Sequence, residues 1–287
     1  MTDATAPARS PHGAMPRDLL LVRHGRSEGN VALDEAKPVE DGGLGDDSKV
    51  LDPAYRERST MHYRLVADGR TQAAAAGRSV RDWMGQAGIT EFDRCYCSPY
   101  VRAMETAALM GVPGARWRRE SLLRERDFGV WEGRSRDEIR SEFPAAADYK
   151  ARNRYLYRPT GGESLGDVEL RVREVLATLA REMEGQRVLC VTHEDVMWAF
   201  RYRLEKMTIA DYLAEFDQDA VVPNGGILHF TRERPDGSLD DRFHRVRLVD
   251  PDGADGWDWT TIERNVESDA ELLAEVEAHP RLWGDSA

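Results

Sequence analysis

The sequence predicts an α/β protein, a three-layer α/β/α sandwich with a largely parallel central sheet. Three observations predict it. Apolar runs of strand length, such as "LLLV" at 19–22 and "VLCV" at 188–191, stop abruptly at polar residues. Such continuous runs suit strands buried on both faces. Between them lie amphipathic stretches too long for strands, and the order strand, helix, strand, helix calls for a parallel sheet covered on both sides. With 287 residues the chain can bury one large core without disulfides or metals.

Residues 1–17, rich in Ala, Pro, Ser and Arg, lack the apolar centre of a signal peptide and read as a disordered leader. Asp18 to Val22 is the first buried strand, followed by a loop through Asn30. A polar, Gly- and Asp-rich insertion then runs from about residue 31 to 64, a length that marks a functional or disordered segment. "VADGRTQAAAAGRSVRDWM" suits a helix covering a sheet. "FDRCYCSP" alternates like a strand and halts at Pro99, and "YVRAMETAALMG" is a helix ended by Gly111.

A strand near "RWRRESLL" precedes the loop "RERDFGVWEG". In "SRDEIRSEF", Ser135 and Glu138 have the spacing of a capping box at a helix start. "LGDVELRVREVLATLAREM" is a long amphipathic helix with Val168, Val172, Val175, Leu176 and Leu179 on one face. "QRVLCVTHE" is an apolar strand stopping at a histidine. The helices "DVMWAFRYRLEKM" and "IADYLAEF" lead to two strands, "GGILHFTRE" and "RFHRVRLV". These elements form one domain over 18–249. The acidic extension 250–287, with Trp257, Trp259 and Trp283 around a short helix pattern, is expected to pack on its own globular body, a homodimer contact being the alternative.

Asp and Glu number 52 against 40 Lys and Arg, a formal net charge of −12. That balance argues against a nucleic-acid-binding surface, and any anion site must be built locally. Clustered arginines are therefore informative. No apolar stretch approaches the roughly 18 residues that a bilayer crossing needs, which argues against a membrane partner. The cysteines, Cys95, Cys97 and Cys190, are odd in number, and strand alternation puts the first two on one face. A reduced, cytoplasmic protein fits this usage.

Ligands of an open parallel sheet sit beyond the carboxyl ends of its strands. Three predicted strands end there in Arg23-His24-Gly25, in Ser98-Pro99 leading to Arg102, and in Thr192-His193-Glu194. If these strands are neighbours, two guanidinium forks and two imidazoles converge on one pocket, a set that suits a dianionic phosphate. His229, His244, His12, His62 and His279 lie in late strands or poorly patterned segments and are read as non-catalytic.

The motifs resemble those of the histidine phosphatase superfamily, also called phosphoglycerate mutase-like. "RHGRSEGN" resembles R-H-G-x-[ST]-x-x-N, and "SPYVRAMETA" resembles S-x-x-x-R-x-x-x-T-A. "LRERDFGVWEG" resembles the segment of the acidic residue, "GGES" stands at its usual place, and "VTH" resembles the second histidine motif. Order and spacing agree from Asp18 to about Arg232. The resemblance implies a phosphoglycerate mutase-like fold with His24 as nucleophile and Arg23 and Arg102 as clamps. His193 adds a donor, and Ser27, Asn30 and Gly25 complete the cradle, Gly25 by having no side chain. Glu125 is the proton donor to the leaving alcohol, with a pKa raised by its enclosure.

Two features depart from the common pattern. Glu194 stands where a glycine usually follows the second histidine, where it can tune His193 or meet a cationic part of a substrate. The insertion over 31–64 is long, and together with the region around Arg158, a substrate-contact candidate before "PTGGES", it is expected to cover the site. No metal is expected, because metal-binding histidine spacings are missing and two arginines would repel a divalent cation. The resulting expectation is a phosphomonoester hydrolase acting through phosphohistidine on His24, with no cofactor and a small phosphorylated metabolite as partner. The alternatives are a phosphoglycerate-type mutase and a catalytically silent phospho-ligand-binding protein.

Overall fold

In the computed structural model, which describes residues 14–35, 57–217, 222–253, 256–263 and 266–279, seven strands form one sheet. They are β1 (Asp18–Arg23), β2 (Arg94–Cys97), β3 (Trp117–Arg119), β4 (Arg187–Thr192), β5 (Ile227–Thr231), β6 (Arg245–Val249) and β7 (Trp257–Thr261). Their spatial order is β3-β2-β4-β1-β5-β6-β7. The pairs β3/β2, β2/β4 and β4/β1 are parallel, whereas β1/β5, β5/β6 and β6/β7 are antiparallel. The centre is thus parallel as expected. The pairs β5/β6 and β6/β7 are joined without a crossover helix, which only antiparallel neighbours permit, whereas β5 comes to lie antiparallel beside β1 after two helices that follow β4.

Every residue of β1 is buried. Leu19 and Leu21 join Cys190 and Val188 in one core, beneath α6 (Leu165–Glu182) and α7 (Glu194–Leu204). Leu20 and Val22 join Cys95, Cys97, Leu189 and Val191 in the other, beneath α2 (Ala67–Gln86) and α3 (Val101–Leu109). Each such side chain contributes about 1.5–3 kcal/mol of burial, and a one-residue slip of register would exchange the two faces. The helix α2 approaches closely through small residues. A Cβ on Gly69 would lie 1.9 Å from the Arg26 carbonyl oxygen, and one on Gly77 1.9 Å from that of Met110.

The remaining helices are α1 (Glu28–Glu35), α4 (Arg136–Glu142), α5 (Pro144–Arg152), α8 (Ile209–Asp217) and α9 (Asp269–Ala278). The capping box of Ser135 and Glu138 is formed. The strand expected near "RWRRESLL" shrinks to β3 at the sheet edge, and Ser121–Leu123 is a 3-10 turn. There the Leu123 carbonyl accepts from Thr192 Oγ1 at 2.8 Å, and its side chain is fully buried.

The leader expected over 1–17 is ordered at its end: Met15 packs on the core and Arg17 N donates to the Gln186 carbonyl at 2.7 Å. The boundary at residue 250 does not separate a body from a tail, because β7 pairs with β6 and Trp257 packs on the core. The first 13 residues, the middle of the insertion and Trp283 lie outside the described residues. Among the described residues no helix is long and apolar enough to cross a membrane.

Candidate active site

The sheet places β4 between β1 and β2, so the three polar strand ends are neighbours. His24 and His193 lie with ring centroids 5.0 Å apart, and both are buried. His24 Nδ1 is 2.8 Å from the Gly25 carbonyl oxygen, which can only accept, so Nδ1 carries the proton. His24 Nε2 is thereby an acceptor and takes a hydrogen bond from Arg102 Nε at 3.1 Å. Asn224 Nδ2 donates to the His24 carbonyl at 2.9 Å, and Arg23 Nη1 donates to that of Val222. "VPNGG" thus fastens the end of β1.

Arg102 is held by the Thr60 carbonyl, which accepts from Nη1 at 2.7 Å, and by the Tyr100 ring, 4.9 Å away. His193 Nε2 lies 2.8 Å from Ser98 Oγ, and its Nδ1 is buried with no hydrogen-bond partner. Arg23 Nε is a second buried donor left without one. Burial holds His24 well below the ordinary histidine pKa, and the charges of Arg102 and Arg23 push it further the same way. Burial, then Arg102, does the same to His193. Both imidazoles are therefore neutral at physiological pH.

Glu125 comes from the loop after the 3-10 turn, and its Oε2 lies 3.6 Å from His193 Nδ1 and 4.0 Å from Arg102 Nη2. Burial first, and the carboxylate of Asp195 second, push its pKa up to about 8. Arg171 on α6 positions this loop by donating to the carbonyls of Leu122 at 2.6 Å and Arg124 at 3.1 Å. Glu163 of "GGES" accepts from Arg124 at 2.6 Å, from Arg171 at 2.8 Å and from Asp127 N at 3.1 Å. The motif is the clasp of the acid loop.

A cavity of about 400 Å³ collects Arg23, His24, Ser27, Asn30, Arg102, Glu125 and Glu194. Several expected residues take other parts than a cradle. The Gly25 N–H donates to Thr106 Oγ1 at 3.1 Å, and the space left by its missing side chain is filled by the Gly69 backbone, 2.1 Å from where a Cβ would stand. Ser27 donates to Asn30 Oδ1 from N at 3.0 Å and from Oγ at 2.9 Å, a local turn that shapes the rim. Glu194 pairs with Arg23 at 2.6 Å. Arg158 is not brought to the cavity: Asp167, at the third position of α6, binds its Nε at 2.8 Å and also its Nη2.

Sequence reasoning passed over the roles of Ser98, Thr60 and Asp195. Ser98 had a signal in its place at the end of β2, immediately before the arginine helix. Asp195 lies in the first turn of α7, where its carboxylate suits the helix dipole, and 3.7 Å from Arg126 Nη1. His24, Glu125 and His193 bring one ligand atom each within 4.8 Å of one another, a composition that can hold a metal. The fit is poor, because Arg102 donates to the His24 nitrogen that a metal would use, and two guanidinium groups impose a field favouring an anion.

Comparison with known proteins gives the family. The family model described as histidine phosphatase superfamily (branch 1) matches residues 54–236, a span that begins within the insertion and leaves β1 outside it. A 2,3-bisphosphoglycerate-dependent phosphoglycerate mutase of Methylobacterium radiotolerans is 36% identical over 203 residues, covering 68% of this chain and 82% of that protein. The mutase of Azorhizobium caulinodans is 30% identical, with 68% and 84% covered. Among solved structures, the alpha-ribazole phosphatase of Shigella flexneri superposes with a TM-score of 0.58 at 22% identity, covering 79% of this chain and 95% of that one. A mycobacterial glucosyl-3-phosphoglycerate phosphatase in complex with VO3 gives 0.56 at 24%, with 75% and 92% covered. With its paired histidines and arginines at the tips of adjacent parallel strands, the chain belongs to the histidine phosphatase superfamily.

Proposed function

We propose that the chain is a phosphomonoester hydrolase that acts on a small phosphorylated metabolite through a phosphohistidine on His24, without a metal ion. One observation carries this reading: an unprotonated His24 Nε2, two arginine forks and a protonated Glu125 surround one cavity. A phosphoryl group between Arg23 and Arg102 meets the lone pair of His24 Nε2, which attacks phosphorus as the bond to the leaving oxygen breaks. Glu125 gives that oxygen its proton. Arg102 Nε, which rests on His24 Nε2, turns to a phosphoryl oxygen when substrate arrives.

Ser98 Oγ accepts from Tyr100 N at 3.3 Å and keeps its own proton for His193 Nε2. The imidazole proton of His193 is then on Nδ1, free to donate to the phosphoryl group where charge builds up. In the second half, water attacks the phosphohistidine, ionised Glu125 takes its proton, and phosphate leaves with His24 restored. The free, buried cysteines support a reduced, cytoplasmic setting for this chemistry.

The identity to named mutases favours a second reading, a phosphoglycerate-type mutase. The rest of the cavity lining is mixed: Tyr63, Phe128, Trp131 and Ile139 and the carboxylates of Glu132 and Asp195 stand with the cations Arg126, Arg134, Lys150 and Arg154. Those cations suit a second anionic group, so the products formed decide between the two readings. The test is turnover in EDTA with p-nitrophenyl phosphate, trapping an acid-labile, base-stable phosphate on the protein. His24→Ala is expected to lose both trapping and hydrolysis, and a trapped phosphate persisting in that variant overturns the assignment. With 3-phosphoglycerate, supplied with and without 2,3-bisphosphoglycerate, slow release of phosphate independent of the bisphosphate is expected. Fast isomerisation with negligible phosphate release would establish the mutase instead.

A further inference from the structure

At the end of the sheet opposite His24, the starts of β1 and β4 open on a cavity of about 380 Å³ lined by Arg17, Arg187, Arg245, Arg247, Trp83 and Trp259. Two of the four cations have carboxylate partners. Arg187 Nε donates to Asp18 at 3.1 Å, and Arg17 Nη2 donates to Glu233 at 2.7 Å. Arg245 and Arg247 instead stack on one indole, 4.9 and 4.5 Å from the Trp259 centroid. Among the described residues Arg247 forms no ion pair. Its Nε is buried without a hydrogen-bond partner, and its Nη2 reaches His229 Nδ1 at 3.4 Å. His229 Nε2 is engaged by Asp18 at 3.0 Å. The cavity therefore has positive charge to spare and two aromatic walls.

The same chain carries an element with the opposite properties. Helix α9 holds the carboxylates of Asp269, Glu271, Glu275 and Glu277 and not one Lys or Arg. Every described residue from Val266 to His279 is exposed, and Leu272, Leu273 and Val276 are 47%, 60% and 64% exposed. A ten-residue helix standing alone is marginal in water even with a capping box, and most helical stability in proteins comes from packing an apolar face. Among the described residues α9 buries none of its own side chains, so each copy offers one exposed acidic helix and one basic cavity.

We propose that α9 of a second copy of this chain docks on this cavity, carboxylates on Arg245 and Arg247 and leucines against Trp259 and Trp83, so that two copies exchange helices in a symmetric dimer. Reciprocal exchange satisfies both copies with one two-fold interface and leaves no open end to polymerise. The contact is local charge complementarity between chains that otherwise repel, each with a net charge of −12. It weakens with salt accordingly.

The test is sedimentation equilibrium of the full chain at low and high salt. Wild type is expected to be a dimer at low salt, with an association about tenfold weaker once the Debye length falls to a few ångströms. Glu275→Arg with Glu277→Arg, on an exposed helix with no packing to lose, should give a monomer with unchanged hydrolysis of p-nitrophenyl phosphate. Arg245→Glu with Arg247→Glu should also give a monomer. Mixing the two charge-reversed proteins one to one should restore a heterodimer, which docking within one chain cannot do. A monomeric wild type, a dimer surviving in both reversed variants, or a mixture that stays monomeric overturns the proposal.

Discussion

Glu125 owes its protonation first to burial and then to the neighbouring carboxylate of Asp195. Burial and Asp195 raise its pKa to about 8, against the pull of Arg102. Because the folded value stands above the ordinary 4.5, the carboxyl keeps its proton at neutral pH and loses it as pH rises through about 8. Hydrolysis of alkyl phosphates should fall along that alkaline limb. Asp195→Asn removes a negative charge that favours protonation, so the limb should move to lower pH, and a pH–kcat/KM profile with an unmoved limb would show that Asp195 does not act on Glu125. Glu125→Gln should slow alkyl phosphates by a factor of about 10²–10⁴ and p-nitrophenyl phosphate far less, since its leaving group scarcely needs a proton. Equal losses would assign Glu125 to structure. Arg23, His24, Arg102 and His193 were legible because each stands at a strand end or one turn into the following helix. Thr60 and Asp195 were not, because a carbonyl from an insertion and a second acid in a helix acquire their roles only when distant segments meet.

The helices show why Arg158 was misread. It precedes "GGES" in sequence, and Glu163 of that motif does hold the acid loop, yet Asp167 turns the Arg158 side chain away to the start of α6. Asp167 also accepts from Ser164 N at 2.8 Å, so Arg158 braces a capping box. Arg158→Ala should leave kcat and KM unchanged and lower the melting temperature slightly, by less at high salt; steady-state kinetics and calorimetry check both, and a raised KM would return Arg158 to the substrate. Long amphipathic α6 was readable from its apolar face. The helix α5 was not, because "PAAADYKAR" has alanines and no apolar stripe, and it buries none of its residues. Strand β7 escaped notice inside an acidic stretch, since only pairing with β6 makes it a strand.

Across the whole molecule, the order of residues and the order of strands diverge. The first strand in sequence is the fourth in space, gripped by β4 from Asp18↔Arg187 to Arg23↔Thr192 and by β5 from Asp18↔Thr231 to Val22↔Ile227. His24 at its end, the proposed nucleophile, is therefore positioned by segments some 170 to 210 residues downstream. Pairing this distant carries a high loop-closure cost before any contact rewards it, which slows folding and leaves apolar edges exposed meanwhile. A chain truncated after residue 220 keeps every expected catalytic residue but lacks β5, and should be insoluble or inactive, as expression and phosphate-release assays can check. During synthesis the apolar β1 emerges first and waits longest. It has no partner until β4 leaves the ribosome, so this strand is exposed to aggregation while the intervening segments are made, and a chaperone that shields it during synthesis should raise the yield of active protein more than one acting after release.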